Sequence, residues 1–94
     1  MSTARIAVYD LTGSYEAVVT KVRDGLAPLY QQQAGFESFF SVEGNKNNVV
    51  SVSLWNDEQA ATNGASVVQA WVRDNISADQ LKLRDTVIGD ITKY

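Results

Sequence analysis

Ninety-four residues with 45% hydrophobic and 20% charged side chains suit one globular domain, 1–94, with a thin core, since a chain this size buries only about 60–70% of its unfolded surface. The net charge of −3 and sequence pI near 4.7, with scattered basic residues, argue against nucleic acid, and no apolar run nears the roughly 18 residues of a membrane span. Neither cysteine nor histidine is present, which removes disulfides, thiolate nucleophiles, Ser-His-Asp triads and the usual zinc, non-haem iron and haem ligands.

Arg5 to Asp10 reads as a first strand, with Ile6 and Val8 on one face and Arg5, Ala7 and Tyr9 on the other. Leu11-Thr12-Gly13-Ser14 then supplies a turn and a cap: Thr12 or Ser14 accepts from free helix amides, and Glu16 favours the positive helix end. Tyr15, Val18, Val19, Val22, Leu26, Leu29 and Tyr30 recur at intervals of three and four, predicting an amphipathic helix with Glu16, Lys21, Arg23 and Asp24 outside. Gly25 and Pro28 predict a kink near Gly25, because proline within a helix removes a donor and clashes with the carbonyl four residues back, costing about 3 kcal/mol. Gly35 is the expected stop.

Phe36 to Val42 and Asn48 to Trp55 are β-rich, and Glu43-Gly44-Asn45-Lys46-Asn47 between them tolerates positive φ, so the pair predicts a hairpin. Alternation sets Phe36, Ser38, Phe40 and Val42 against Glu37, Phe39 and Ser41, and Val50, Val52 and Leu54 against Val49, Ser51, Ser53 and Trp55. Neither face is purely polar, and the second face, which retains Phe39, Val49 and Trp55, is expected to be covered by a partner or by packing within an oligomer. Asn56 or Asp57 caps a second helix carrying Ala60, Ala61, Gly64, Val67, Val68 and Trp71 and ending at Arg73-Asp74-Asn75. Ser77-Ala78-Asp79-Gln80 has the form of a capping box before a short extra turn through Leu81 and Leu83, and a last strand spans about Asp85 to Ile91. The order βαββαβ predicts a ferredoxin-like α+β domain, an antiparallel sheet with two helices on one face.

The joints of this pattern resemble a family. Gly35-Phe36 opens the second strand, Trp55 ends the third and leads into an acid-capped helix (Ser53-Leu54-Trp55-Asn56-Asp57-Glu58-Gln59-Ala60), and Gly89-Asp90-Ile91 closes the last. Together these short elements, spread over nearly the whole chain, resemble the dimeric α/β-barrel superfamily in its antibiotic biosynthesis monooxygenase-like branch. The resemblance implies a homodimer whose two sheets pack face to face, covering the second apolar face. It also implies an oxygenase that needs no cofactor, since an electron-rich phenol or quinol, once ionised, can react with dioxygen in an apolar pocket that holds the anion. Many members carry a histidine in the second helix, where this chain has Gly64 or a near neighbour, so no catalytic residue carries over.

Candidate substrate contacts are Trp71, Tyr9, Tyr15, Arg5 and Arg84. Trp71 lies on the inward helical stripe, tyrosine hydroxyls can donate to a substrate oxygen, and a planar guanidinium can grip a carboxylate or phenolate at two points. Each has an ordinary reading as well: core packing for Trp71, backbone hydrogen bonds for the tyrosines, salt bridges with Asp10, Asp85 or Asp90 for the arginines. Trp55 is expected in the dimer seam. Carboxylate spacing suggests no metal site, and Asp57-Glu58 reads as the acidic start of a helix. Met1-Ser2-Thr3-Ala4-Arg5 lacks the features of a signal peptide, so the expected location is the cytoplasm. The readings are a cofactor-independent oxygenase acting on a small aromatic or quinol-like metabolite, or a non-catalytic binder or structural homodimer; neither nucleic acid nor membrane is expected as a partner.

Overall fold

The computed structural model describes residues 2–94. Its elements are β1 (Thr3–Leu11), α1 (Tyr15–Lys21), a π-helical turn (Val22–Leu26), α2 (Ala27–Gln31), β2 (Phe36–Glu43), β3 (Asn48–Trp55), α3 (Glu58–Asn75) and β4 (Leu81–Asp90). The strands form one antiparallel sheet in the order β2-β3-β1-β4. With the helices on one face, this is the ferredoxin-like α+β fold predicted from the element order.

β1 runs longer than Arg5 to Asp10 because it is paired along both edges: Thr3 lies opposite Trp55 and Asp90, and Leu11 opposite Leu81. The same pairing corrects the reading of residues 81–84. Leu81 and Leu83 belong to β4 and not to a helical turn, because the far end of β1 offers them a ladder and Leu81 buries itself on Tyr9 and Ile76. A register shift opposite Val8 and Tyr9 leaves Arg84 as the extra, bulged residue.

Ser14 caps α1, its Oγ accepting from the Ala17 amide at 3.2 Å. The expected kink proves to be a π turn. Pro28 sits in the first turn of α2 and cannot donate to the carbonyl four residues back, and the Ala27 amide already reaches five residues back to Val22. Widening the ladder by one residue accommodates the proline without breaking the helix. Trp71 of α3 lies over this turn, where a methyl group on Gly25 would stand 2.7 Å from its indole. The helix ends at Gln31, and Gly35 takes φ +80° in the turn that follows, just ahead of β2.

A second bulge, between Phe36 and Ser38, turns Phe36 onto the helix face against the simple alternation. There it stacks on Tyr30 at 5.7 Å. The hairpin to β3 turns through Asn47 at φ 55°.

Asp57 caps α3, its Oδ1 accepting from the Ala60 amide at 2.8 Å. Asp57→Ala should lower stability by about 1 kcal/mol in urea unfolding, with the denaturant slope unchanged. Small residues Ala60, Ala61, Gly64 and Ala65 face the sheet and let the helix sit close to it. Into that space goes Trp55, 0% exposed, with its ring so tight on Gly64 that a methyl group there would collide with it. Trp55 is therefore a core residue and not part of a dimer seam, since the helix offers a glycine-sized recess above it.

The face away from the helices carries Ile6 and Val8 of β1, Val50, Val52 and Leu54 of β3, Phe40 and Val42 of β2, and Val87 of β4. Phe40 and Val42 are 50% exposed and Val87 56%. Phe39, Val49 and Trp55, expected on the face a partner covers, lie instead under the helices, because the helices return across that side of the sheet. No helix is long and apolar enough to cross a membrane among the described residues.

Candidate functional site

Between the helical layer and the sheet lies a partly open cavity of about 220 Å³. Its upper wall is Val18, Val22 and Leu26, the inward stripe of α1 and the π turn, and α3 adds Val68 and Val72. The sheet supplies Tyr9, Val49 and Ser51 as the floor, with Phe39 and Ser41 from β2. Tyr15 and Ser41, both lining residues, tie α1 to the edge strand through hydroxyl oxygens 2.9 Å apart. On the other side of Tyr9 a separate groove of about 300 Å³ opens between α3 and β4, beside Arg73 and Lys82.

The lining is mostly apolar, and its ionisable groups are Tyr9, Tyr15 and Arg23; no carboxylate reaches it. Such a cavity can exclude water, orient a ring and donate hydrogen bonds. It has no strong base, so a substrate that must lose a proton has to be acidic in its own right. No group of three or more metal-ligating side chains is found among the described residues.

Tyr9 and Tyr15 are thus brought to one cavity. Trp71 is not: partly buried, it packs against both core clusters over Gly25, beside Thr20, Lys21 and Asn75, and does not line the cavity. Arg84 is not either. As the bulged residue of β4 its side chain is 68% exposed and pairs with Asp10 at 3.3 Å, an exposed contact of little energetic weight.

Arg5 is 1% exposed on the helix side of β1, opposite Ser53. Among the described residues no carboxylate pairs with it, and its Nη2 has no hydrogen-bond partner. Tyr30 of α2, 0% exposed, lies beside Arg5 and Ser53, and its hydroxyl is also unpartnered. Burial raises the Tyr30 pKa above the usual phenol value, against the opposing pull of Arg5 and Ser53, so the hydroxyl is a neutral donor at physiological pH. Ser53 Oγ accepts from Trp55 Nε1 at 2.8 Å. The sequence places Tyr30 on the helical stripe and not among the candidate contacts. The available signal was its place on the helical stripe, which predicts burial and says nothing of its neighbours.

No known family profile matches the sequence, and no curated protein aligns with it. Solved structures do match. SnoaB, a cofactor-independent oxygenase from Streptomyces nogalater, superposes with a TM-score of 0.74 over 99% of this chain and 95% of its own, at 13% identity. ActVA-Orf6, a monooxygenase from Streptomyces coelicolor solved with nanaomycin D, gives 0.72 over 99% and 93%, at 20% identity. The chain shares with these monooxygenases the ferredoxin-like α+β fold. MhuD, in a mutant holding two manganese protoporphyrin IX molecules per active site, shares that fold at 0.74 and 12% identity over 98% and 96%. At these identities the likeness is one of fold. In this chain Trp55 fills the recess above Gly64, so of the positions where the sequence resemblance expects a histidine, Gly64 or a near neighbour, Gly64 itself takes no larger side chain.

Proposed function

We propose that this protein is a cytoplasmic homodimer that acts as a cofactor-independent oxygenase on a small aromatic or quinol-like metabolite. The observation that carries the reading is the apolar cavity of about 220 Å³ with Tyr9, Tyr15, Ser41 and Ser51 converging on it. Drug-sized sites run about 300–1,000 Å³, so this one suits one or two aromatic rings and is too small for a porphyrin. Support for oxygen chemistry comes from the fold shared with SnoaB and ActVA-Orf6. Tyr9 and Tyr15 would hold the ring oxygens, and the reduced ring itself would supply electrons to dioxygen. Support for the dimer comes from the exposed apolar sheet face, which a second copy of the same face would cover.

The test is oxygen uptake by the purified protein with one- and two-ring hydroquinones in the presence of a chelator. Uptake should exceed autoxidation by at least about tenfold, because positioning alone can supply far more than that. A second reading, a non-catalytic binder, is favoured by the lack of any carboxylate, histidine or cysteine in the cavity. Binding without oxygen uptake would establish it; no binding would leave the structural homodimer.

A further inference from the structure

A guanidinium carries its charge in any protein environment, and a charge in the interior is ordinarily paired. Arg5 departs from that rule. It is 1% exposed, its Nη2 is unpartnered, and the unpartnered hydroxyl of Tyr30 lies beside it. The carboxylate on the same face of the neighbouring strand is Asp90, opposite Thr3, and its Oδ1 is taken by the Thr3 hydroxyl at 2.8 Å. The guanidinium and the phenol thus lie side by side next to Ser53, near enough to interact but outside good hydrogen-bond geometry, and no carboxylate among the described residues pairs with the guanidinium.

Their position relates them to the cavity. Ser51 lines it, and Ser53, opposite Arg5, is two positions along the same face of β3, about 7 Å further in. Leu26 lines it too, and Tyr30 follows one helical turn later in the same buried cluster. Leu26 belongs to the π turn, whose hydrogen-bond ladder is the less regular part of the helix. Neither Arg5 nor Tyr30 lines the cavity, so a ligand there reaches them only when Leu26, which lines the cavity and shares a buried cluster with Tyr30, moves aside.

We infer that Arg5 and Tyr30 form an anion-binding subsite beyond the Leu26 wall of the cavity, so that the ligand is a one- or two-ring aromatic bearing an oxyanion, carboxylate or phenolate. This rests on the proposal that the cavity takes an aromatic ligand. The ring occupies the apolar cavity, and the oxyanion accepts from Arg5 Nη2 and the Tyr30 hydroxyl. The anion supplies the charge partner that Arg5 does not find among the described residues.

Isothermal titration calorimetry of the full chain with 2-naphthoate and the neutral 2-naphthamide tests it. The expected result is a preference for naphthoate of about tenfold or more, abolished in Arg5→Met and reduced in Tyr30→Phe. Arg5→Met should also melt no lower than the parent, because an apolar side chain of similar length replaces an unpaired charge. Should Arg5→Met fail to fold, Tyr30→Phe, which keeps the ring packing, carries the test. A 2-naphthol arm, measured below and above its own ionisation, identifies phenolate as the source if affinity follows ionisation and carboxylate if it does not. Equal affinity for naphthoate and naphthamide would overturn the subsite and leave the cavity reading standing. So would a preference that survives Arg5→Met but disappears in Arg23→Met, the cavity's exposed cation. If neither compound binds, the cavity reading fails and the subsite with it.

Discussion

Trp55→Ala is expected to cost about 3–5 kcal/mol, a large part of the 5–15 kcal/mol that stabilises a typical domain. At about 4–8 °C per kcal/mol for a chain of this size, the melting temperature should fall by roughly 12 °C or more. The reason is local geometry. The indole is 0% exposed and meets Tyr30 edge-on at 5.4 Å and Phe36 at 5.5 Å. Its Nε1 donates to Ser53 at 2.8 Å, a bond that truncation removes. Gly64 has no side chain to move into the vacated space, so the cavity stays open and its cost is not relieved by collapse. A calorimetric or circular-dichroism melt decides the matter. A loss under about 1 kcal/mol would mean that the ring is not a packing element.

Val52→Glu tests the sheet face. Val52 lies at the middle of β3, opposite Ile6 on one side and Phe40 on the other, on the face the helices leave uncovered. In a face-to-face homodimer the substitution buries two like charges without partners, at several kcal/mol each. The dimer dissociation constant should therefore rise by about 1,000-fold or more. Sedimentation velocity at micromolar concentration should show a dimer for the parent and a monomer for the variant, with the far-ultraviolet spectrum unchanged. A monomeric parent, or a variant that remains dimeric, would remove the sheet face as the seam.

The hairpin was legible because Glu43-Gly44-Asn45-Lys46-Asn47 is turn chemistry between two alternating runs, and β3 spans Asn48–Trp55 as read. The α3 cap was legible to within two residues, Asn56 or Asp57, for the same local reason, and Asp57 is the one that caps. The bulges at Glu37 and Arg84 were not, because each arises from fitting one strand to its neighbour and leaves no mark in the sequence. Their consequences reach the candidate site. One bulge sends Phe36 to the core beside Tyr30, and the other leaves Arg84 in solvent against Asp10. Trp71 kept to the inward stripe and packs against both core clusters, but it lies over the glycine of the π turn and so does not line the cavity.

By itself the sequence determined the element order, the hairpin, the caps and the absence of imidazole and thiol chemistry, since each depends on residue type or on spacing along the chain. Alternation in β1 and β3 also settled which residues share a face. Only the tertiary structure decided which face is covered. The more apolar set, Ile6, Val8, Val50, Val52 and Leu54, lies on the open side, while Thr3, Arg5, Ser51 and Ser53 are buried under the helices. A period of two is indifferent to that choice; it is made by where the helices return across the sheet, and it places an arginine without a partner in the core.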